Sequence, residues 1–150
     1  MAQVFTVSST KTALVAATLK VAVQLATGAA VQNRILQIDV TFDGTNAAAV
    51  PVLVELVRET GVTSTGGTAP TPVKVNTDAS AAAATTARIN DTTDGTGPTV
   101  IAAWLVPPTS GIVIQFPLGR EAGMKVSEFL ALRLTAPAVV NYIVNVWFEE

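Results

Sequence analysis

Most of this chain alternates apolar and polar side chains with a period of two. Over Thr18–Thr27, Leu19, Val21, Val23 and Leu25 fall on one face, and Lys20, Ala22, Gln24 and Ala26 on the other. Over Asn33–Asp43, Leu36, Ile38, Val40 and Phe42 oppose Gln37, Asp39, Thr41 and Asp43. Val52, Val54 and Leu56 oppose Glu55 and Glu59; Ile112, Ile114, Phe116 and Leu118 oppose Gln115. Leu130, Leu132 and Leu134 oppose Arg133 and Thr135. Finally Val140, Tyr142, Val144, Val146 and Phe148 oppose Asn141, Asn145 and Glu149. Alternation in β-branched segments predicts half-buried antiparallel strands, because successive side chains of a strand point to opposite faces.

Turn residues separate these runs. Asp43-Gly44-Thr45-Asn46 joins an Asp that caps its own turn to a Gly that tolerates positive φ. Pro107-Pro108-Thr109-Ser110-Gly111 divides Val100–Val106 from Ile112–Leu118, and Pro137 ends the Leu130 run. Gly61–Pro72 and Asp91–Thr99 read as exposed loops. Between them, the alanine-rich Asp78–Ile89 fits either a helix capped by Asp78 or Ser80, or a short strand around Thr85–Asn90. The count of eight to ten strands predicts one all-β domain over residues 1–150: an antiparallel, jelly-roll-like β-sandwich. An immunoglobulin-like sandwich is the second choice. The predicted interior contains Leu36, Ile38, Val40, Leu132, Leu134, Val144, Val146 and Phe148.

Composition narrows the chemistry. Nine basic and eleven acidic residues give a net charge of −2, and only 13% of residues are charged. The cations are scattered from Lys11 to Arg133, whereas binding a phosphate backbone needs them clustered, so no nucleic-acid partner is expected. Cysteine and histidine are both absent. That removes disulfides, thiolate nucleophiles, the commonest metal ligand and every Ser-His arrangement, so neither an enzyme nor a cofactor is expected. No apolar run reaches the roughly 20 residues of a membrane-spanning helix, and no membrane partner is expected. Lys11–Ala30 has the order of a signal peptide, but Lys20 and Gln24 interrupt it, so synthesis without a signal peptide is expected.

Five groups remain to be weighed. Asp91 and Asp94-Gly95 resemble part of a calcium loop, but the spacing is wrong and no Glu closes it, which favours a solvated loop and no bound metal. Asp39, Asp43, Glu55 and Glu59 each alternate with apolar residues, so cross-strand ion pairs with Arg34 or Arg58 are expected rather than a catalytic acid pair. Trp104 and Trp147 suit the core, a protein interface or a sugar platform. Ala22, Ala26, Val57, Ala131 and Ile143 fall on predicted solvent faces, which fits either surface covered by other subunits or a simple compositional bias. Met1–Ser9 carries a strand pattern and is followed by the polar break Ser8–Thr12. Val4, Phe5 and Val7 are therefore candidates for an N-terminal arm paired with a neighbouring subunit, with the protein's own sheet as the other option.

From about Asn33 onward the chain resembles the small β-rich virion proteins of tailed bacteriophages. The resemblance lies in Phe42-Asp43-Gly44-Thr45, Pro51–Arg58 and Thr71-Pro72-Val73-Lys74. It continues through Pro117-Leu118-Gly119-Arg120-Glu121, Leu134–Ala138 and Trp147-Phe148-Glu149-Glu150. It implies a capsid decoration (cement) protein made in the host cytoplasm and bound to the outside of the shell. Such a protein bridges major capsid subunits, commonly as a homotrimer. The alternatives are a tail or head-fibre component, or a carbohydrate-binding jelly roll used in host attachment. The resemblance carries no active-site residues.

Overall fold

The computed structural model describes residues 2–46, 48–61, 66–76 and 82–150. Among them are twelve strands and no helix. The strands are β1 (Val4–Ser8), β2 (Thr12–Leu14), β3 (Leu19–Ala26), β4 (Asn33–Phe42), β5 (Val52–Glu59) and β6 (Val73–Lys74). They continue with β7 (Thr86–Asp91), β8 (Thr99–Val106), β9 (Gly111–Gln115), β10 (Ala122–Met124), β11 (Phe129–Thr135) and β12 (Val140–Glu149). The number exceeds the expected eight to ten chiefly because β2, β6 and β10 are only two or three residues long. The alanine-rich stretch gives a strand, β7; the proposed caps Asp78 and Ser80 lie outside the described residues.

Two antiparallel sheets form the sandwich. The seven-stranded sheet runs β10-β4-β12-β1-β6, with β2 also on β12 and β9 also on β4. The five-stranded sheet runs β7-β3-β11-β5-β8. One continuous core lies between them, including Phe5, Val7, Leu56, Leu132, Leu134, Tyr142, Val146 and Phe148. Phe5 and Phe148 stack across β1 and β12 with ring centroids 5.7 Å apart. Tyr142 fills the interior and spans it, its hydroxyl donating to Asn90 Oδ1 of the other sheet at 2.7 Å. Burial pushes that phenol's pKa up.

β1 is a strand of its own sheet. It pairs with β12 from Val4↔Glu149 to Ser8↔Asn145, and with β6 on its other side. The expected intersubunit arm is thereby corrected: Phe5 and Val7 are interior side chains, and their burial between β12 and β6 ties the segment down.

Strict alternation fails at three register shifts. On β4, Trp147 faces Gln37 but Phe148 faces Ile35, so Leu36 is an extra residue that turns outward while Ile35 takes the core position. On β3, Leu132 faces Val23 and Arg133 faces Val21, so Ala22 joins the core, and Leu19 and Val21 move to the outer face. On β8, Ile101 is extra between Val100 and Ala102. A bulge adds one residue and so swaps the faces beyond it. The predicted core thus holds at every position except Leu36, which is half-buried.

This register yields a direct test. Ile35→Ala is expected to cost about 2–5 kcal/mol, as for a buried aliphatic residue, and Leu36→Ala about 1 kcal/mol or less. Denaturant unfolding of the two variants measures both losses, and a reversed order would overturn the assignment of the bulge.

Candidate functional site

The five-stranded sheet sets a geometric problem. β7 lies at one margin and β8 at the other, four strand spacings apart, or roughly 19 Å. The seven residues between them, Thr92–Pro98, make eight Cα–Cα steps from Asp91 to Thr99, which reach at most about 29 Å. They cross the outer face as a short strap that bends at Thr92–Thr93 and at Thr96–Gly97. It leaves β7 where Asp91 pairs with Val21 and joins β8 near Val57↔Val100. Val21, Ala131 and Val57 lie along this crossing and are fully buried, Val57 and Ala131 although their faces read as solvent-exposed and Val21 although it has left the inner face. Ala22 is also buried, in the main core, while Ile143 is exposed on the other sheet. The alanine- and valine-rich outer surface is thus covered largely by the chain's own loops and bulges.

Polar contacts anchor the strap. Arg133, on the central strand β11, donates from Nε to Glu55 at 2.9 Å and from a terminal nitrogen to Asp94 at 2.7 Å. Gly95 N–H donates to Glu59 Oε1 at 3.0 Å, and Gln24 Nε2 donates to Glu59 Oε2. Thr60 N–H donates to the Thr96 carbonyl at 2.9 Å. At the origin of the strap, Arg88 grips Asp91 with two hydrogen bonds of 2.9 Å, and Gly67 N–H donates to the same carboxylate. Gly95 must be glycine, because a Cβ there would run into the Gly61 carbonyl and the Glu59 carboxylate.

These contacts correct two expectations. Asp91–Thr99 is exposed at Thr92–Thr93 and Thr96–Thr99, as a loop should be, but its aspartates do not stand free in solvent: Asp91 is fully buried and each aspartate binds an arginine. Glu59 is buried as well, at 1% exposure, and Glu55 pairs with Arg133. Arg34 and Arg58 take Glu149 and Glu128 instead of the four acids proposed for them. Asp43 lies on the other sheet's side, where Lys11 and then Asn141 hold its carboxyl down to about 2. Asp39 accepts from Gln37. The four acids therefore do not converge on one cleft. Among the described residues, no group of three or more acidic side chains is placed to hold a metal ion.

The aromatic and N-terminal candidates separate. Phe5 and Val7 are interior, and Val4 is half-buried opposite Glu149. Trp104 is half-buried on the inner face of β8, packed against the core. Trp147 lies half-buried on the outer face of the large sheet, between Thr6 and Gln37. These five residues do not form one patch.

Of the twelve large apolar residues exposed among the described residues, seven lie in one region, while Val73 and Val75 lie beside β1 and Val15, Val126 and Ile143 are scattered. The sandwich has two open margins, and the chain seals one of them. There Thr68 bridges to Ile89 beside β7, and β6 continues on to cover β1. The opposite margin consists of β8 in one sheet and β9 in the other, and it carries exposed Val100, Ile101, Leu105 and Val113. Leu105 is 71% exposed, and Leu118, just beyond β9, is 94% exposed. Around the Pro107–Ser110 turn this margin meets an end cleft lined by Val50, Val52, Pro108 and Val139. Of this region the sequence had singled out only Trp104. The available signal was the uncharged run Thr99–Val106, an eight-residue strand with no residue that discourages edge pairing.

Glu59 offers a test of the strap. Burial raises its pKa above the ordinary 4.5, against the opposing help of Gln24 and Gly95. Between those two values the folded state binds more protons than the unfolded state, so this group's contribution to stability falls as pH rises through the window. Glu59→Gln removes the titration. The stability difference between wild type and variant is expected to shift in the variant's favour as pH rises from about 4.5, and melting curves at stepped pH measure it. A pH-independent difference would show that Glu59 titrates normally.

No protein-family model, no curated protein and no solved structure matches this chain.

Proposed function

We propose that this chain is a non-enzymatic structural subunit of a tailed-bacteriophage virion, bound as a decoration (cement) protein to the outside of the capsid shell. In this reading it bridges neighbouring major capsid subunits, and its copies associate with one another, the homotrimer being the assembly that the resemblance implies. Multivalent attachment makes the shell contact strong even where each interface is modest.

The observation that carries the reading is the distribution of surface chemistry. The carboxylates of Glu55, Glu59, Asp91 and Asp94 are spent on holding the strap, while seven of the twelve large apolar side chains exposed among the described residues lie on one margin and the adjoining end. That is the surface of a part that is covered in an assembly. Strand order supports the jelly-roll form. Taking β1 with β2, and β9 with β10, as interrupted single strands gives β1/β2-β12-β4-β9/β10 facing β3-β11-β5-β8. This is the order of two interlocked four-strand sheets, with β6 and β7 as additions. Viral capsid and lectin domains share that architecture, an analogy of fold and not of site.

A carbohydrate-binding reading has one observation in its favour. Trp147 is flanked by Gln37, which accepts from Gln115 at 3.0 Å and donates to Asp39 at 2.8 Å, so an aromatic ring lies beside a row of amides. A glycan array tests it directly, and loss of a positive signal in Trp147→Ala would assign the site.

For the leading reading, immunogold labelling of intact virions is expected to decorate the shell evenly. Label confined to the tail or to fibres would transfer the protein to the tail or head-fibre alternative. Absence of the chain from purified virions would end the proposal.

A further inference from the structure

We infer that the β8–β9 margin is the surface through which copies of this chain bind one another, with the backbone edge of β8 pairing to a strand of a second copy. The inference deepens the reading above by placing its subunit contact, and it rests on that reading only for the expectation that copies associate.

The chemistry of an edge selects its occupant. A terminal strand presents a row of N–H and C=O groups, and another strand is the partner that matches their spacing. β8 has β5 on one side and no strand on the other among the described residues. Other sheet margins are blunted. β6 is two residues long and carries Lys74, β10 is three residues long, and Thr68 lies against β7. β8 has eight residues, no charge and no proline, and only the bulge at Ile101 near its start disturbs it. Ala102–Val106 beyond that bulge remains regular.

Charge and area point to a second copy. Neither β8 nor β9 carries an ionisable side chain, so two copies meet there without like-charge repulsion, and a charged partner finds no complement. The exposed parts of Val100, Ile101, Leu105 and Val113 amount to a few hundred Å², below the roughly 800 Å² per partner of a stable interface. Pairing through β8 therefore has to bring β9 and the flank around Leu118 into the contact. Both sheets end on this margin, so one approach covers both.

The experiment is sedimentation of the purified full chain without capsids, at roughly 10–100 μM, alongside the double variant Ile101→Lys/Leu105→Lys and the control Val73→Lys. Val73 is exposed on the sealed margin and resembles Leu105 in exposure. Wild type and control are expected to sediment as an oligomer of the 15.4 kDa chain, and the double variant as a monomer with an unchanged β-type circular dichroism spectrum. If the double variant fails to fold, Ala103→Cys replaces it. The chain has no other cysteine, so thiol labelling slower in the native oligomer than in diluted monomer supports the contact, and equal rates refute it. A monomeric wild type, or an oligomer that survives the double substitution, overturns the inference. Neither result bears on capsid attachment, which virion labelling decides separately.

Discussion

The connection from β7 to β8 constrains this fold more than any other part of it. Two successive strands take opposite margins of one sheet, and only seven residues join them. A strap this short passes directly over the sheet, and the strands beneath supply polar groups where it crosses. Arg133 does this at the centre, held by carboxylates from the strand beside it and from the strap above. Glu59 does it near the far side, receiving Gly95 N–H. Burying ionised groups is costly unless they are paired and hydrogen-bonded, which is why these acids occur with arginines and an amide and not singly.

The strand architecture was legible because alternation survives over most of β5, β11 and β12, where Val54, Leu132 and Val146 fall inside as their pattern requires. The bulges were not legible. Ile35 and Leu36 are both large aliphatics, so the sequence around them reads equally well in either register, and only pairing to β12 decides which turns inward. Leu19 and Val21 were misplaced for the same reason, by one extra residue at Ala22.

The candidate site was harder to read. Asp91 and Asp94 lie among Thr and Gly residues, and such a segment looks solvated until its path across a sheet is known. The pairing of its two aspartates with arginines follows from which margins β7 and β8 occupy, a long-range property that no local pattern encodes. The N-terminal segment misled in the opposite sense. Its polar break looked like the base of a detachable arm, yet Ser9 N–H donates to the Val144 carbonyl and Ser9 Oγ accepts from Val144 N–H, so the break itself is fastened to β12.

The order of the strands also bears on how the chain reaches this state. The central strand of each sheet comes late in the sequence: β11 lies between β3 and β5, and β12 between β4 and β1. Before those residues are available, the earlier strands can form only fragments, such as β3 with β7 or β5 with β8, that lack the middle of either sheet. Isolated strand pairs are marginal in water. The molecule should therefore acquire its stability in one late step, with slow folding dominated by closure of long loops. A ribosome-bound chain lacking its last strands would be expected to remain open and to need protection from pairing with its neighbours.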